Sequence, residues 1–288
     1  MSDTTAAVRR GTARTALRAD VVRRRHWGRG VFATVVAAIV VLVVNSLARN
    51  PNIEWSIVGD YLFNSSILRG LRKTLEMTVL ATMFAISLAI VVAVMRISPS
   101  RIVSGAAAIY AFIFRGMPLI VLLILIGNLG LFFKTFTLGL PFTDVTFWSR
   151  PVRDVMTPFR ASVIGLSLAG SGYMSEVVRG GLLAVGRGQH EAATSIGLTS
   201  AKTLRHVVMP QALRVIVPPL GNELIGMLKA SAIVSVIAGG DLLTVALGIS
   251  GSNFRTIEML LVATIWYLVV IVALSVVQYF VERKVAER

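Results

Sequence analysis

The chain has 288 residues, 55% of them hydrophobic and 15% charged, with a net charge of +15 and a mean hydropathy of +0.77. That much apolar surface exceeds what one soluble domain of this length buries, and continuous apolar runs of about 16–24 residues point to spanning helices rather than an alternating β-barrel. No cysteine is present and the histidines His26, His190 and His206 have no metal-ligand spacing, so thiol chemistry and a metal site are excluded, and the positive charge reads as basic membrane flanks rather than a nucleic-acid surface.

Residues 1–30 form a basic arm carrying Arg9, Arg10, Arg14, Arg18, Arg23, Arg24, Arg25 and Arg29. The first apolar run, Val31–Leu47, follows directly. Ser46-Leu47-Ala48 has the look of a small-residue cleavage site, but the run is long for a signal peptide and reads as an uncleaved anchor. Positive charge beside a span favours the cytoplasmic side, which places the N-terminus inside. Residues 49–73 then form an extracytoplasmic segment with Trp55 and Tyr61 as interfacial anchors.

Further spans are expected at Thr74–Met95, Ile109–Phe133, Ala161–Leu183, Val215–Ala238 and Glu258–Phe280. Lys134–Arg160, with Pro141, Pro151 and Pro158, is an outer cap and not a span. An even number of spans returns residues 282–288 to the inside with Arg283, Lys284 and Arg288. Arg69, Arg72, Lys73, Arg150 and Arg153 fall outside on this count, so the charge bias is imperfect. The expected fold is all-α: a polytopic helical membrane protein with a five-helix core over residues 74–281 and one extra N-terminal transmembrane helix at 31–48.

Between the fourth and fifth spans lies a polar island, about residues 184–213, too long to be an idle connection. It reads as two short helices: the first from about Gln189 to Ile196, stopped by Gly197 in a left-handed turn, the second capped by Thr199 or Ser200 and limited by Pro210. No Walker A pattern occurs, so the chain is not expected to bind ATP.

The segments YAFIFRGMPL (110–119), GYMSEVVRGG (172–181), GQHEAATSIG (188–197), MPQAL (209–213), PPLGNE (218–223) and LKASAIVSVI (228–237) occur in one order. Together they resemble the permease subunits of ABC importers for polar amino acids such as glutamine, glutamate, histidine and arginine. The resemblance covers roughly residues 70–281. It implies a transport subunit, not an enzyme, that works with a cytoplasmic ABC ATPase dimer carrying the ATP and magnesium. It also implies an extracytoplasmic solute-binding protein and a second permease, identical or different, in the cytoplasmic membrane of a prokaryote. The polar island becomes the coupling loop, with Gly188, Glu191, Ala192, Ala193, Gly197 and Pro210 as its candidate residues.

Candidate pathway residues follow from charges and breaks inside the spans. Glu176 reads either as a substrate contact taking an amino group or as the partner of Arg179, one turn along the same helix. Ser171 and Ser175 are small enough for close helix packing or for a path. Arg115-Gly116-Met117-Pro118 permits a broken helix, with Arg115 either recognising a carboxylate or sitting at the cytoplasmic interface. Pro218-Pro219 and Gly221-Asn222-Glu223 are expected to interrupt the fifth span, with Lys229 beyond them. Met117, Leu122 and Ala230 depart from more polar residues common in the family, which removes hydrogen-bonding groups from the segments they occupy. A secondary transporter would show paired broken helices about an ion site, and an intramembrane enzyme a catalytic constellation; neither pattern is found.

Overall fold

The computed structural model describes residues 27–140 and 145–286. The basic residues before Trp27, Pro141 of the expected outer cap, and Arg288 lie outside that range. Two units part at Ile53 and Glu54. The first contains helix α1 (Trp27–Ala48), whose Val31–Ala48 stretch is strongly apolar, interrupted by Thr34, Asn45 and Ser46, and wholly exposed.

The second unit begins with a short helix, α2 (Trp55–Leu62), and a 32-residue helix, α3 (Ser65–Arg96). The expected start at Thr74 was late. Asn64 accepts a hydrogen bond from Ser66 N at 2.8 Å and caps the helix a good two turns earlier. One face of α3 repeats small buried residues, Ala81, Ala85 and Ala89, with Met77 at the same spacing. Such a stripe lets a neighbouring backbone approach closely.

The third expected span divides. Helix α4 (Arg101–Gly116) and helix α5 (Leu119–Gly127) meet at a 99° bend. Pro118 explains the break, because it drives the residue before it out of the helical region. Met117 is extended, with φ −77° and ψ 128°. In helix α4, Ala107 and Ala111 pack against Val92 of α3, while Ile102, Ile109 and Phe112 are exposed. After a single turn, α6 (Leu129–Phe132), strands β1 (Thr135–Gly139) and β2 (Thr146–Pro151) form an antiparallel hairpin with Phe136 opposite Arg150 and Leu138 opposite Trp148. The fold is all-α as expected, with this short hairpin added inside the Lys134–Arg160 segment. The hairpin's β-branched and aromatic residues suit a pleated surface.

A turn, α7 (Val152–Val155), leads to the central helix α8 (Pro158–Ala184). It is built from Gly, Ser and Ala on its inner side and packs against α3, α4, α5 and the next long helix. A Cβ at Gly181 would lie 2.2 Å from Ile216 Cγ1, so only glycine allows that approach. Buried serines return their hydroxyls to the helix itself, as Ser167 does to Val163 O at 2.6 Å.

Helices α9 (Arg187–Ser195) and α10 (Ser200–Thr203) make up the polar island. Pro210 was expected to limit the second of these, and it does not. A π-turn over Leu204–Val208 carries the chain straight into α11 (Met209–Ala230), where Pro210 occupies the first turn and owes no helical N–H. Nor do Pro218 and Pro219 interrupt the fifth span: α11 passes through both and continues as a 3-10 turn, Ser231–Ile237. Gln278 packs at this point, where a Cβ on Gly221 would meet its Cδ at 2.8 Å. Its amide donates to Asn222 Oδ1 at 3.0 Å.

The chain then turns through Ala238 and Gly240, both at positive φ, into α12 (Leu242–Asn253), which was not foreseen. Asp241 caps it by accepting from Leu243 N at 3.0 Å and from the Thr244 hydroxyl. Helix α12 is too short to span and packs on α3 and on the last helix, α13 (Thr256–Ala286). Among the described residues four helices, counting Ser200–Ile237 as one, are long and apolar enough to cross a membrane, and the bent α4–α5 pair makes a fifth. The broad exposed apolar surfaces of α3 and α13 suit contact with lipid, and the chain is a multi-pass membrane protein.

Candidate functional site: a cavity behind a charged cluster and an exposed loop

Helix α9 ends in a full Schellman turn. Leu198 N donates to Ala193 O at 3.0 Å and Gly197 N to Thr194 O at 2.9 Å, while Gly197 adopts φ +78°. No atom lies within 4 Å of a Cβ built on Gly197, so its requirement is conformational and not steric. Ala193 is buried, whereas Gly188, Glu191, Ala192 and Pro210 are exposed. Ile196, 77% exposed, presents a large apolar side chain from an otherwise polar segment. Gln211 Nε2 donates to Gln189 Oε1 at 3.3 Å and ties α9 to the start of α11.

Where α3, α4 and α8 cross, four charged side chains meet. Glu176 Oε2 is 2.7 Å from Arg179 Nη2, while Oε1 is 3.2 Å from Arg96 Nη2 and 3.7 Å from Arg115 Nη1. Both carboxylate oxygens are thus engaged by guanidinium groups of this chain. The structure places Glu176 in the pairing with Arg179 and adds Arg96 and Arg115, which sequence spacing does not link to it. The signal available was charge count alone: a lone carboxylate in a span beside several arginines.

On the far side of Arg115 lies a cavity of about 490 Å³ between the α4–α5 bend, α8 and α11. Arg115, Met117, Tyr173, Glu223, Met227 and Ala230 are among its lining residues. Tyr173 OH donates to Arg115 O at 3.0 Å, and the guanidinium carbon of Arg115 lies 5.9 Å from the Tyr173 ring centre. Glu223 forms no ion pair among the described residues.

The other candidates lie elsewhere. Leu122 is buried with Ile126 and Ala161 and does not line the cavity, so its departure from a polar residue removes nothing there. Ser171 donates to Leu168 O at 2.8 Å and therefore accepts from Tyr110 OH at 2.7 Å. Ser175 donates to Gly172 O at 2.8 Å. Asn222 faces Gln278, and Lys229 is exposed in the last turn of α11. Tyr173 and Met227 were missed; at sequence level they look like ordinary core residues.

Residues 77–287 match the family described as the binding-protein-dependent transport system inner membrane component. The chain belongs to this family. Its permease character agrees with curated relatives. The arginine transport system permease protein ArgU of Corynebacterium glutamicum is 37% identical over 260 residues, 90% of this chain and 80% of the relative. So long a match takes in α1 as well as the core. The arginine transport system permease protein ArtQ of Bacillus subtilis is 34% identical, covering 76% of this chain and 91% of its own length. Among solved structures, an amino acid ABC transporter with histidines is 35% identical with a TM-score of 0.64, covering 76% of this chain and 94% of that one. The MetNI methionine ABC transporter, 21% identical with a TM-score of 0.60, shares the fold. Members of the family are membrane subunits, with the ATPase on a separate chain, so this permease is not itself an enzyme.

Proposed function

We propose that this permease carries a polar amino acid inward through the cavity beside Arg115, as one half of a translocation path completed by a second permease, a copy of this chain or a relative. The observation that carries the reading is the lining of that cavity. It offers one guanidinium, Arg115, which also lies 3.7 Å from Glu176, and one carboxylate, Glu223, that has no ion-pair partner among the described residues, amid apolar groups such as Met117 and Met227. A zwitterion presents a carboxylate and an ammonium group, and a guanidinium and a carboxylate suit those two ends. The charges match the backbone common to all amino acids, so selection among side chains falls to the binding protein. Relatives named for arginine, L-cystine and glutamine transport support the same class of solute.

In this account both termini face the cytoplasm, and the 184–213 segment docks on the ATPase dimer. The exposed Ile196, Glu191 and Ala192 supply the contact, and Gly197 fixes the turn. ATP and magnesium stay on that partner. Movement of α9 reaches the membrane through α8, whose last turns precede it, and through the unbroken helical run Ser200–Ile237 that follows it.

The test is ATP-driven uptake in proteoliposomes holding the permease, the partner ATPase and the binding protein, with arginine first in a panel of labelled amino acids. Saturable uptake that stops when the ATPase is omitted is expected. An assembled, ATP-hydrolysing complex that accumulates no amino acid would overturn the solute class.

A further inference from the structure

The cations at the opposite end of the bundle from the 184–213 segment run against the charge pattern of membrane insertion, which keeps Lys and Arg off the translocated side. Some of them are neutralised within the chain: Arg72 lies 2.7 Å from Glu76, Arg153 pairs with Asp154 and Arg255 with Glu54. Arg69 and Lys73 differ. Neither pairs with a carboxylate among the described residues; Arg69 is held by hydroxyls instead, donating to Ser66 Oγ at 2.8 Å and Ser65 Oγ at 3.3 Å.

Both cations lie in a groove of about 430 Å³ between α3 and α12. Two helix faces form it. Ser66, Arg69, Gly70 and Lys73 recur at helical spacing on α3, and Val245, Gly248, Ile249 and Ser252 do so on α12. The helices touch at Gly70, where a Cβ would lie 3.0 Å from Val245 Cγ2. Lys73 lies across Gly240, whose built Cβ would be 3.1 Å from Nζ. No acidic residue lines the groove. It is concave and polar at Ser66 and Ser252, and it carries two positive charges that have no partner carboxylate among the described residues.

We infer that this groove is a docking point for the solute-binding protein, and that it receives an acidic side chain, or a short acidic turn, from one lobe of that protein. The inference rests on the orientation given under Proposed function. It commits to a protein partner because the family is binding-protein-dependent by description, and in the orientation given above that protein meets the permease at this end. Charge placed this way sets docking register and encounter rate more than bulk affinity. The hydroxyls that hold Arg69 and the glycine beneath Lys73 fix the positions of the two cations in advance, which reduces the ordering cost on docking.

The test uses the full complex in nanodiscs and measures the binding-protein concentration that gives half-maximal ATPase stimulation. Arg69→Glu with Lys73→Glu is expected to raise that concentration by about tenfold or more, as loss of complementary charge pairs does. Arg69→Gln and Lys73→Gln, milder in case the reversal disturbs insertion, raise it by a smaller factor and flatten its dependence on ionic strength. Arg72→Gln, which removes a cation already paired with Glu76, leaves it unchanged. An assembled Gln variant whose half-maximal concentration and salt dependence equal those of the wild type overturns the inference. So does a shift that appears only in vesicles containing anionic lipid, which would assign the groove to a headgroup. A wild-type complex that no binding protein stimulates would instead overturn the orientation and partner reading on which the inference stands.

Discussion

The guanidinium of Arg96 reaches the carboxylate of Glu176 at 3.2 Å across 80 residues of sequence, and it does so at the last residue of α3. This contact ties the end of one long helix to the helix that leads into the exposed loop. Arg115, on the same carboxylate, extends the tie to the wall of the cavity. Removing the carboxylate leaves three guanidiniums facing one another. Glu176→Gln is expected to lower stability by about 1–3 kcal/mol, the cost of leaving partly buried charges unpaired. Arg179→Gln costs less, because Arg96 and Arg115 still serve Glu176. Thermal melts of the purified complex check the order, and equal melting temperatures for Glu176→Gln and wild type would contradict the account.

Gly197 tests the loop by conformation. Its φ of +78° is strained for any side chain, yet the space around it is open. Gly197→Ala is expected to weaken the turn by about 1 kcal/mol and Gly197→Asn by less, because Asn tolerates the left-handed region. Uptake should fall in the order Gly, Asn, Ala while membrane insertion is unchanged. If Gly197→Asn were more impaired than Gly197→Ala, bulk and not backbone conformation would be at issue.

Gly181 and Ile216 pack closely where α8 meets α11, with no room for a Cβ at position 181. Gly181→Ala places a methyl group where Ile216 stands and is expected to cost about 1–3 kcal/mol by overpacking. Ile216→Ala in the same chain should recover part of that loss, and the coupling is read from a double-mutant cycle of thermal stabilities. Strict additivity would mean that the helices do not meet as described.

In the cavity, Glu223→Gln removes a carboxylate that no cation of the described chain requires. It should leave the melting temperature close to wild type and lower the maximal uptake rate several-fold, the loss of one charge-assisted contact. Wild-type uptake at saturating solute would remove Glu223 from the path.

Much of the site was legible because it depends on local rules. Gly197 as a helix stop and Pro118 as a break follow from backbone sterics alone, and both features stand in the structure. What the sequence hid depends on partners far along the chain. Pro218 and Pro219 look like an interruption, yet α11 continues through them, and the contact of Gln278 of α13 with that stretch is a long-range one that the sequence does not display. The π-turn before Pro210 is equally invisible, since no local residue pattern in Leu204–Val208 announces it. Helix α12 had a readable start in Gly239-Gly240-Asp241, a tight turn followed by a cap, but its length sets it apart from the spans around it. The apolar run through 109–133 reads as one span because hydropathy does not register a change of direction, and the bend leaves the apolar face of α4 exposed.

The most direct test of the central claim is a cross-link between the exposed loop and the ATPase. The chain contains no cysteine, so Ile196→Cys introduces a single thiol at a 77% exposed position without further substitutions. Paired with cysteines placed along the cleft of the ATPase subunit, it should form a disulfide-linked permease–ATPase species whose yield changes when ATP closes the ATPase dimer. A well-assembled complex in which Ile196→Cys reacts freely with a soluble maleimide in every nucleotide state, and cross-links to no ATPase position, would contradict the assignment of this segment as the coupling contact.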